Sequence, residues 1–529
     1  MRTAGHVASL TALFVIAAAA WNSGCSGSTT GSGFTETSGS GSGTSSGGKG
    51  SASGTGGGPG SSAPPSGGAP NGSLVIGSSD GGTKPVTVKK CTSQGQCANL
   101  NCPNGGHTTI SGTVYDPAGV NPLYDVAVYV PQNPPSPLPA GASCYSCQSL
   151  YTGGVVAGTL TDPAGHFQIV DAPTGKGIPI VVQIGKWRRQ YTVDVADCAD
   201  TPQPTLRLPA NASEGDLPNI AISTGGSDSL ECLLRRIGVD AGGDAGTGEY
   251  VSGAAAGGHI HIFQGGRGRG GGGGGGAGPA MAGGSPSSAT ALWTSGMAMQ
   301  PYDIVILSCE GSEAANPNRQ AMNDYAALGG RVFASHFHYS WFNAAPFAAY
   351  NLATWTTGTQ DLGNVNGLIQ QTLSDGVTPF PKGIAMQQWL LNVNALTATT
   401  PPELQIQASR HNADVAVANT PSTPWIVADQ MASAPGATQY FSWDMPIPAG
   451  AQGACGRVVY SDLHVGAASG DYGQAAGAMN FNATTAIVPS GCANNALSPQ
   501  EKALEFMLFD LSSCLTPVNE MPPPPSPAK

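Results

Sequence analysis

The chain has 529 residues, with 21 Lys+Arg against 32 Asp+Glu, a net charge of −11 and only 10% charged residues. That length allows two or three folded units of roughly 100–200 residues each, although 77 glycines keep much of the chain out of any packed core. The charge argues against nucleic acid as a partner: apart from Arg188-Arg189 and Arg235-Arg236 the basic residues are scattered and cannot neutralise a run of phosphates.

At the N-terminus, Met1-Arg2 precedes an apolar run from Leu10 to Trp21 that is too short to span a bilayer as a helix. A basic start, a short apolar core and small residues before a break predict a signal peptide over 1–24. The break, Asn22-Ser23-Gly24-Cys25, resembles the lipobox of bacterial lipoproteins, with Asn22 standing where that motif usually has leucine. The resemblance implies cleavage before Cys25 and acylation of its thiol. With Ser26 following, it further implies residence at the outer membrane or cell surface, with the membrane as partner through the lipid anchor.

Residues 25–90 are almost wholly Gly, Ser, Thr, Ala and Pro, a composition that cannot bury enough apolar area to offset its ordering entropy. They read as a disordered tether, whose about 60 residues reach on the order of 45 Å. Eleven cysteines follow Cys25. In an oxidising compartment they are disulfide candidates, and the odd number leaves one over. Cys144 and Cys147 have C-x-x-C spacing but no second metal-binding pair near them, so they read as structural disulfide partners.

Over 91–210, short β-branched runs are closed by Asp-Pro-x-Gly turns at Asp116 and Asp162, the pattern of an antiparallel β-sandwich. Ile110-Ser111-Gly112-Thr113-Val114, Asp116 to Gly119, Val128 to Val130, Thr161-Asp162 through Gly165 and Phe167, and Pro173-Thr174-Gly175 resemble the carboxypeptidase regulatory-like family. That resemblance implies a non-catalytic, stabilising or carbohydrate-contacting sandwich. The insertion from Pro131 to Gly158 departs from it.

Over 214–515 the rhythm changes to strands and helices in alternation, which predicts an α/β doubly wound, flavodoxin-like parallel sheet. Strands are expected at Leu217–Ser223, His259–Phe263, Asp303–Leu307, Arg331–Ser335 and Arg457–Tyr460. Asp228 and Glu231 read as a capping-box pair opening a helix, and Ser498 with Glu501 opens the last one. The glycine-rich stretch within 264–288 lacks the spacing of a phosphate loop and reads as a disordered insertion. Residues 516–529 form a proline-rich tail.

Ligands of open parallel sheets bind beyond the carboxyl ends of the strands. Gly225, Gly226, Ser308, Cys309, Glu310, His336, His338, Asp462 and His464 should therefore converge on one rim. The same segments resemble the class I glutamine amidotransferase-like superfamily, in particular its trehalose-utilisation branch. The matching pieces are Thr224-Gly225-Gly226, Tyr302 to Ile306, Tyr325 through Gly329-Gly330-Arg331-Val332, and Gly456 to Tyr460, while Phe347 to Met445 has no counterpart. That family's cysteine nucleophile would fall near His336, so glutamine hydrolysis is not expected.

Three uses of the rim follow. Cys309, Glu310 and His336 could act catalytically, since Leu307-Ser308-Cys309-Glu310-Gly311 partly copies a nucleophile elbow; a Cys309 disulfide with Cys232 or Cys455 is the favoured alternative. His336, His338, Asp462 and His464 offer ligands to a divalent metal such as zinc. Tyr339, Trp341 and Phe342 could stack on a sugar. The favoured function is a non-catalytic surface lipoprotein with polysaccharide as its candidate partner, and the alternative is a metal-dependent or Cys/His hydrolase.

Overall fold

Short strands rich in Val and Ile dominate the described chain, and they build several sheets with few helices between them. The computed structural model describes residues 97–225, 227–240, 248–253, 256–265, 287–314, 317–449, 453–468 and 495–525. The signal segment, Cys25, the tether, Gly226 of the expected rim, 266–286 of the glycine-rich insertion and the final 526–529 lie outside the described residues.

The first region contains β1 (Thr109–Tyr115), β2 (Ala127–Pro131), β3 (Val155–Leu160), β4 (His166–Val170), β5 (Gly175–Ile184), β6 (Trp187–Val195), β7 (Asp200–Arg207) and β8 (Gly215–Asp216). Its two sheets have the orders β4-β1-β7 and β3-β2-β5-β6-β8. In β4 only Phe167 and Ile169 are buried, the two-residue alternation of a strand with one face in a core. They meet Ile110, Val114, Val128, Val130, Ile180 and Val182 in one apolar cluster. The arrangement is sandwich-like but not wholly antiparallel, because β1 and β7 run parallel. The chain changes sheets between β6 and β7, so no hairpin dictates the direction of that last pairing.

The second region starts with β9 (Ile220–Ser223), helix α2 (Leu230–Arg236), β10 (Tyr250–Ser252) and β11 (Ile260–Phe263); α1 is the short helix Cys147–Leu150 in the earlier insertion. Helices α3 (Ala289–Leu292) and α4 (Gly296–Met299), β12 (Ile304–Leu307), α5 (Arg319–Ala327) and β13 (Arg331–Ser335) follow. A small pair, β14 (Thr354–Trp355) with β18 (Ala413–Asp414), stands aside from the main sheet. The remaining strands are β15 (Asp361–Ile369), β16 (Ala398–Thr399), β17 (Pro402–Arg410), β19 (Ser422–Ala428), β20 (Thr438–Met445) and β21 (Gly456–Ser461).

One sheet of 11 strands collects them in the order β10-β11-β9-β12-β13-β21-β20-β19-β15-β17-β16. From β10 to β21 all pairings are parallel; from β21 onward they are antiparallel. The stretch expected to have no counterpart is thus an antiparallel extension, joined edge to edge through the β21–β20 pair. Its hairpin spacing was hidden because helix α6 (Pro381–Asn392) interrupts it. Side chains alternate between two apolar clusters on opposite faces of the parallel half. Ile220, Ile222, Ile304, Ile306 and Val459 point one way; Ala221, Val305, Leu307 and Val458 point the other.

The last helix, α7 (Pro499–Ser512), opens with the expected capping box of Ser498 and Glu501. Every side chain from Ala503 to Ser512 is buried, so burial extends well beyond the stripe of Leu504, Met507, Leu508 and Leu511. Its second face meets the sandwich region: Phe506 stacks on Tyr124 and Phe509 meets Trp187 edge-on, each at 5.9 Å between ring centroids. Lys382 of α6 and Arg457 of β21 both pair with Asp510. Cys144–Cys455 and Cys147–Cys514 bind the sandwich insertion to the second region, while Cys102–Cys198 closes within the first. The C-x-x-C residues are therefore structural disulfide partners, as their isolation predicts.

Candidate functional site

Strand β12 is four buried aliphatic residues, after which the chain leaves the sheet at Ser308-Cys309. Strand β13 likewise ends at Ser335, delivering His336, and β21 ends at Ser461, with His464 three residues on. Because β12, β13 and β21 are parallel neighbours, their carboxyl ends bring these side chains together. One ligand atom each from Cys309, His336 and His464 lies within 4.8 Å of the other two. Cys309 Sγ is 3.5 Å from His336 Nδ1, and the two imidazole rings meet edge to face at 4.8 Å. Cys309 and His336 are 0% exposed and His464 is 3% exposed.

Cys309 is free, whereas every other described cysteine is disulfide-bonded. The expected disulfide to Cys232 or Cys455 is therefore overturned. Cys455 is taken by Cys144, Cys232 is bonded elsewhere, and Cys309 faces the two histidines at the strand ends.

His336 sits at φ +39°, a left-handed conformation that costs a residue with a Cβ on the order of 1–3 kcal/mol unless its surroundings impose it. Tyr460 Oη, 2.8 Å from the His336 carbonyl oxygen, helps to hold it there. His336 Nε2 is 3.3 Å from the Thr359 carbonyl oxygen. A carbonyl only accepts, so Nε2 carries the proton and Nδ1 turns its lone pair to Cys309. Burial, then the neighbouring His464 and Arg410, depress the His336 imidazole to about 2, which keeps it neutral.

His464 behaves oppositely. Burial alone would lower it, but Cys309 and Asp228 outweigh that and hold it up at about 10. Its Nδ1 faces Asp228 Oδ2 at 3.4 Å. Asp228 also accepts from Ser335 Oγ at 3.1 Å and from the Gly466 amide at 3.1 Å. Ser335 Oγ in turn accepts from the Cys309 amide at 2.9 Å. Asp228 is thus not the helix cap its spacing with Glu231 suggested: Ser229 is the N-cap residue of α2 and makes no side-chain capping bond. The carboxylate belongs to the site, and only its place next to Gly225, after the first parallel strand, hinted at this.

The other expected ligands fall outside the cluster. His338 spends both nitrogens on the protein, Nε2 at 2.9 Å from the Ser308 carbonyl oxygen and Nδ1 accepting from Trp341 Nε1 at 3.1 Å. Two residues along a 3₁₀ turn from His336, it points back under the strand ends. Asp462 accepts from the amides of Asn412 and Ala413 through Oδ2 and meets Tyr460 Oη through Oδ1. Its burial raises the carboxyl to about 7, and it fastens the β14–β18 segment to β21. Glu310 is turned to Ser223 Oγ, 3.4 Å from its Oε1, and is not one of the three clustered residues. Tyr339, Trp341 and Phe342 are each 0% exposed, so the sugar-stacking reading of these rings is overturned. They are core, packed against Trp293, Trp355 and Trp443.

No known family matches the chain, and no curated protein sequence matches it either. Among solved structures, it is similar over 28% of its length to 78% of a type II cohesin–X-dockerin complex chain from Acetivibrio cellulolyticus carrying a C-terminal interface mutation, at 14% identity and a TM-score of 0.14. A 9R-lipoxygenase from Cyanothece aligns over 21% of this chain and 18% of its own, at 15% identity and a TM-score of 0.13. Similarities this slight carry no argument about either region.

Proposed function

We propose that this is an exported surface protein, anchored through a lipidated Cys25, in which a carboxypeptidase regulatory-like sandwich braces a flavodoxin-like α/β region that shelters a thiol–imidazole centre without turning over a substrate. The strand order of the parallel half, second-first-third-fourth-fifth once the short edge strand β10 is set aside, is that of doubly wound flavodoxin-like sheets. The observation that carries the non-catalytic reading is burial: Cys309 and His336 are 0% exposed. A nucleophile must approach its target to about 3–3.5 Å, and neither side chain offers a substrate that path. Carbohydrate contact through the sandwich stays part of the proposal as an implication of that family resemblance alone.

The test is alkylation of Cys309 in the native protein by a bulky maleimide, followed by alkylation after denaturation. Protection in the first step and complete labelling in the second is the expected result. Rapid native labelling would overturn the closed centre and favour the second reading, a hydrolase with Cys309 as nucleophile, His464 as its base and Asp228 orienting His464; the specific observation behind it is the line of contacts Asp228–His464–Cys309. Glutamine hydrolysis is not proposed. Mass spectrometry of the native N-terminus tests the anchor, which an unacylated Cys25 would rule out.

A further inference from the structure

We propose that the sheltered centre is a mononuclear site for a divalent transition metal of the zinc class, held by Cys309 Sγ, His336 Nδ1 and one ring nitrogen of His464. This rests on the reading of Cys309 as a free, sheltered thiol, and names the ligand that such a centre takes.

Three features carry it. The first is spacing. A tetrahedral ion with a metal–sulfur bond of about 2.3 Å and metal–nitrogen bonds of about 2.0–2.1 Å sets its sulfur and nitrogen ligands roughly 3.5 Å apart. Cys309 Sγ and His336 Nδ1 are 3.5 Å apart, and the third ligand atom is within 4.8 Å of both. The second is the outer shell. Ligating imidazoles characteristically give their remaining N–H to a carbonyl or carboxylate, which fixes the ring and its tautomer. His336 has the Thr359 carbonyl behind it and His464 has Asp228. The third is the backbone: His336 is held at φ +39° in a fully buried position at the strand end. Strain of this kind persists where the position of a side chain matters.

The chemistry of the donor set selects the metal. One thiolate with two imidazoles suits zinc and its neighbours, and is poor for magnesium or calcium, which take oxygen ligands. Binding sends both the Cys309 thiol proton and the proton that His464 carries to solvent, leaving thiolate, two neutral imidazoles and a fourth position for water or another donor. His338 and Asp462 take no part, because their polar atoms already have protein partners.

The experiment is titration of the purified, chelator-treated full chain with Zn²⁺, and with Co²⁺ as a spectroscopic probe. One equivalent per chain is expected, with a thiolate-to-cobalt charge-transfer band that Zn²⁺ abolishes. Cys309→Ser should remove the band, and His336→Ala or His464→Ala should weaken binding at least tenfold. Asp228→Asn should weaken it about 10–100-fold, as outer-shell changes do. His338→Ala should leave the stoichiometry intact. The wild-type titration does not depend on any variant folding. If it shows no stoichiometric metal while Cys309 counts as a free thiol, the metal inference fails and the sheltered thiol stands. If Cys309 is found oxidised in a disulfide, both fail.

Discussion

The interface between α7 and the sandwich and the rim around Cys309 are both buried and polar, yet they are built on different rules. On the α7 side of the interface, cations from α6 and β21 meet carboxylates: Lys382 and Arg457 share Asp510, and Arg457 also pairs with Asp444. At the rim the convergent groups are a thiol and two imidazoles, and the one carboxylate stands behind a histidine. Buried ion pairs that satisfy one another are self-contained and hold elements together. Electron-pair donors that converge on one point are the arrangement that ligates a metal ion.

The largest expected effect separates these rules. Asp510→Asn leaves two buried cations without their shared anion and should cost about 3–5 kcal/mol in chemical denaturation. Cys309→Ala should cost about 1 kcal/mol in metal-free protein. Equal losses would mean that the rim, too, is only structural.

Next in size is a pH effect at the interface. Burial raises Asp125 to about 7 and Asp116 to about 6, above their unfolded values. Between pH 4 and 7 these two groups therefore hold more protons in the folded state than in the unfolded state, so their contribution to stability falls as pH rises across that window. Asp125→Asn should remove up to roughly 4 kcal/mol of this dependence, measured as the difference between denaturation at pH 4.5 and at pH 8. Asparagine also tolerates the φ of +62° at this position. A slope unchanged by the substitution would place the titration elsewhere.

Smaller effects sharpen the contrast within each region. His338→Ala orphans the Trp341 N–H and should cost about 1–3 kcal/mol in thermal unfolding without altering metal uptake. Loss of metal would move His338 into the centre. Ser498→Ala removes the α7 capping box and should cost about 1 kcal/mol, with no change in Cys309 protection.

Much of the architecture was legible because it depends on local rules. The alternation in β4, the aliphatic run of β12, the buried strand β13 and the Ser498–Glu501 cap all follow from periodicity and composition. The antiparallel extension was not legible: β15 and β17 pair across an intervening helix, and such registers leave no mark in either strand. For the rim, sequence position after parallel strands placed Cys309, His336 and His464 together, and their ligand atoms lie within 4.8 Å of one another. It also swept in His338, Asp462 and Glu310, because position along a strand end does not say which way a side chain turns.

By itself, then, the sequence determined where strands stop and which reactive side chains follow them, since hydrophobic runs and turn residues act over a few positions. Only the tertiary structure decided that Cys309 has no sulfur partner, that Asp228 serves a histidine instead of a helix end, and that α7 is buried on two faces. Those outcomes depend on which distant segments share the space, and sheet order and disulfide pairing are set by the fit of the whole core.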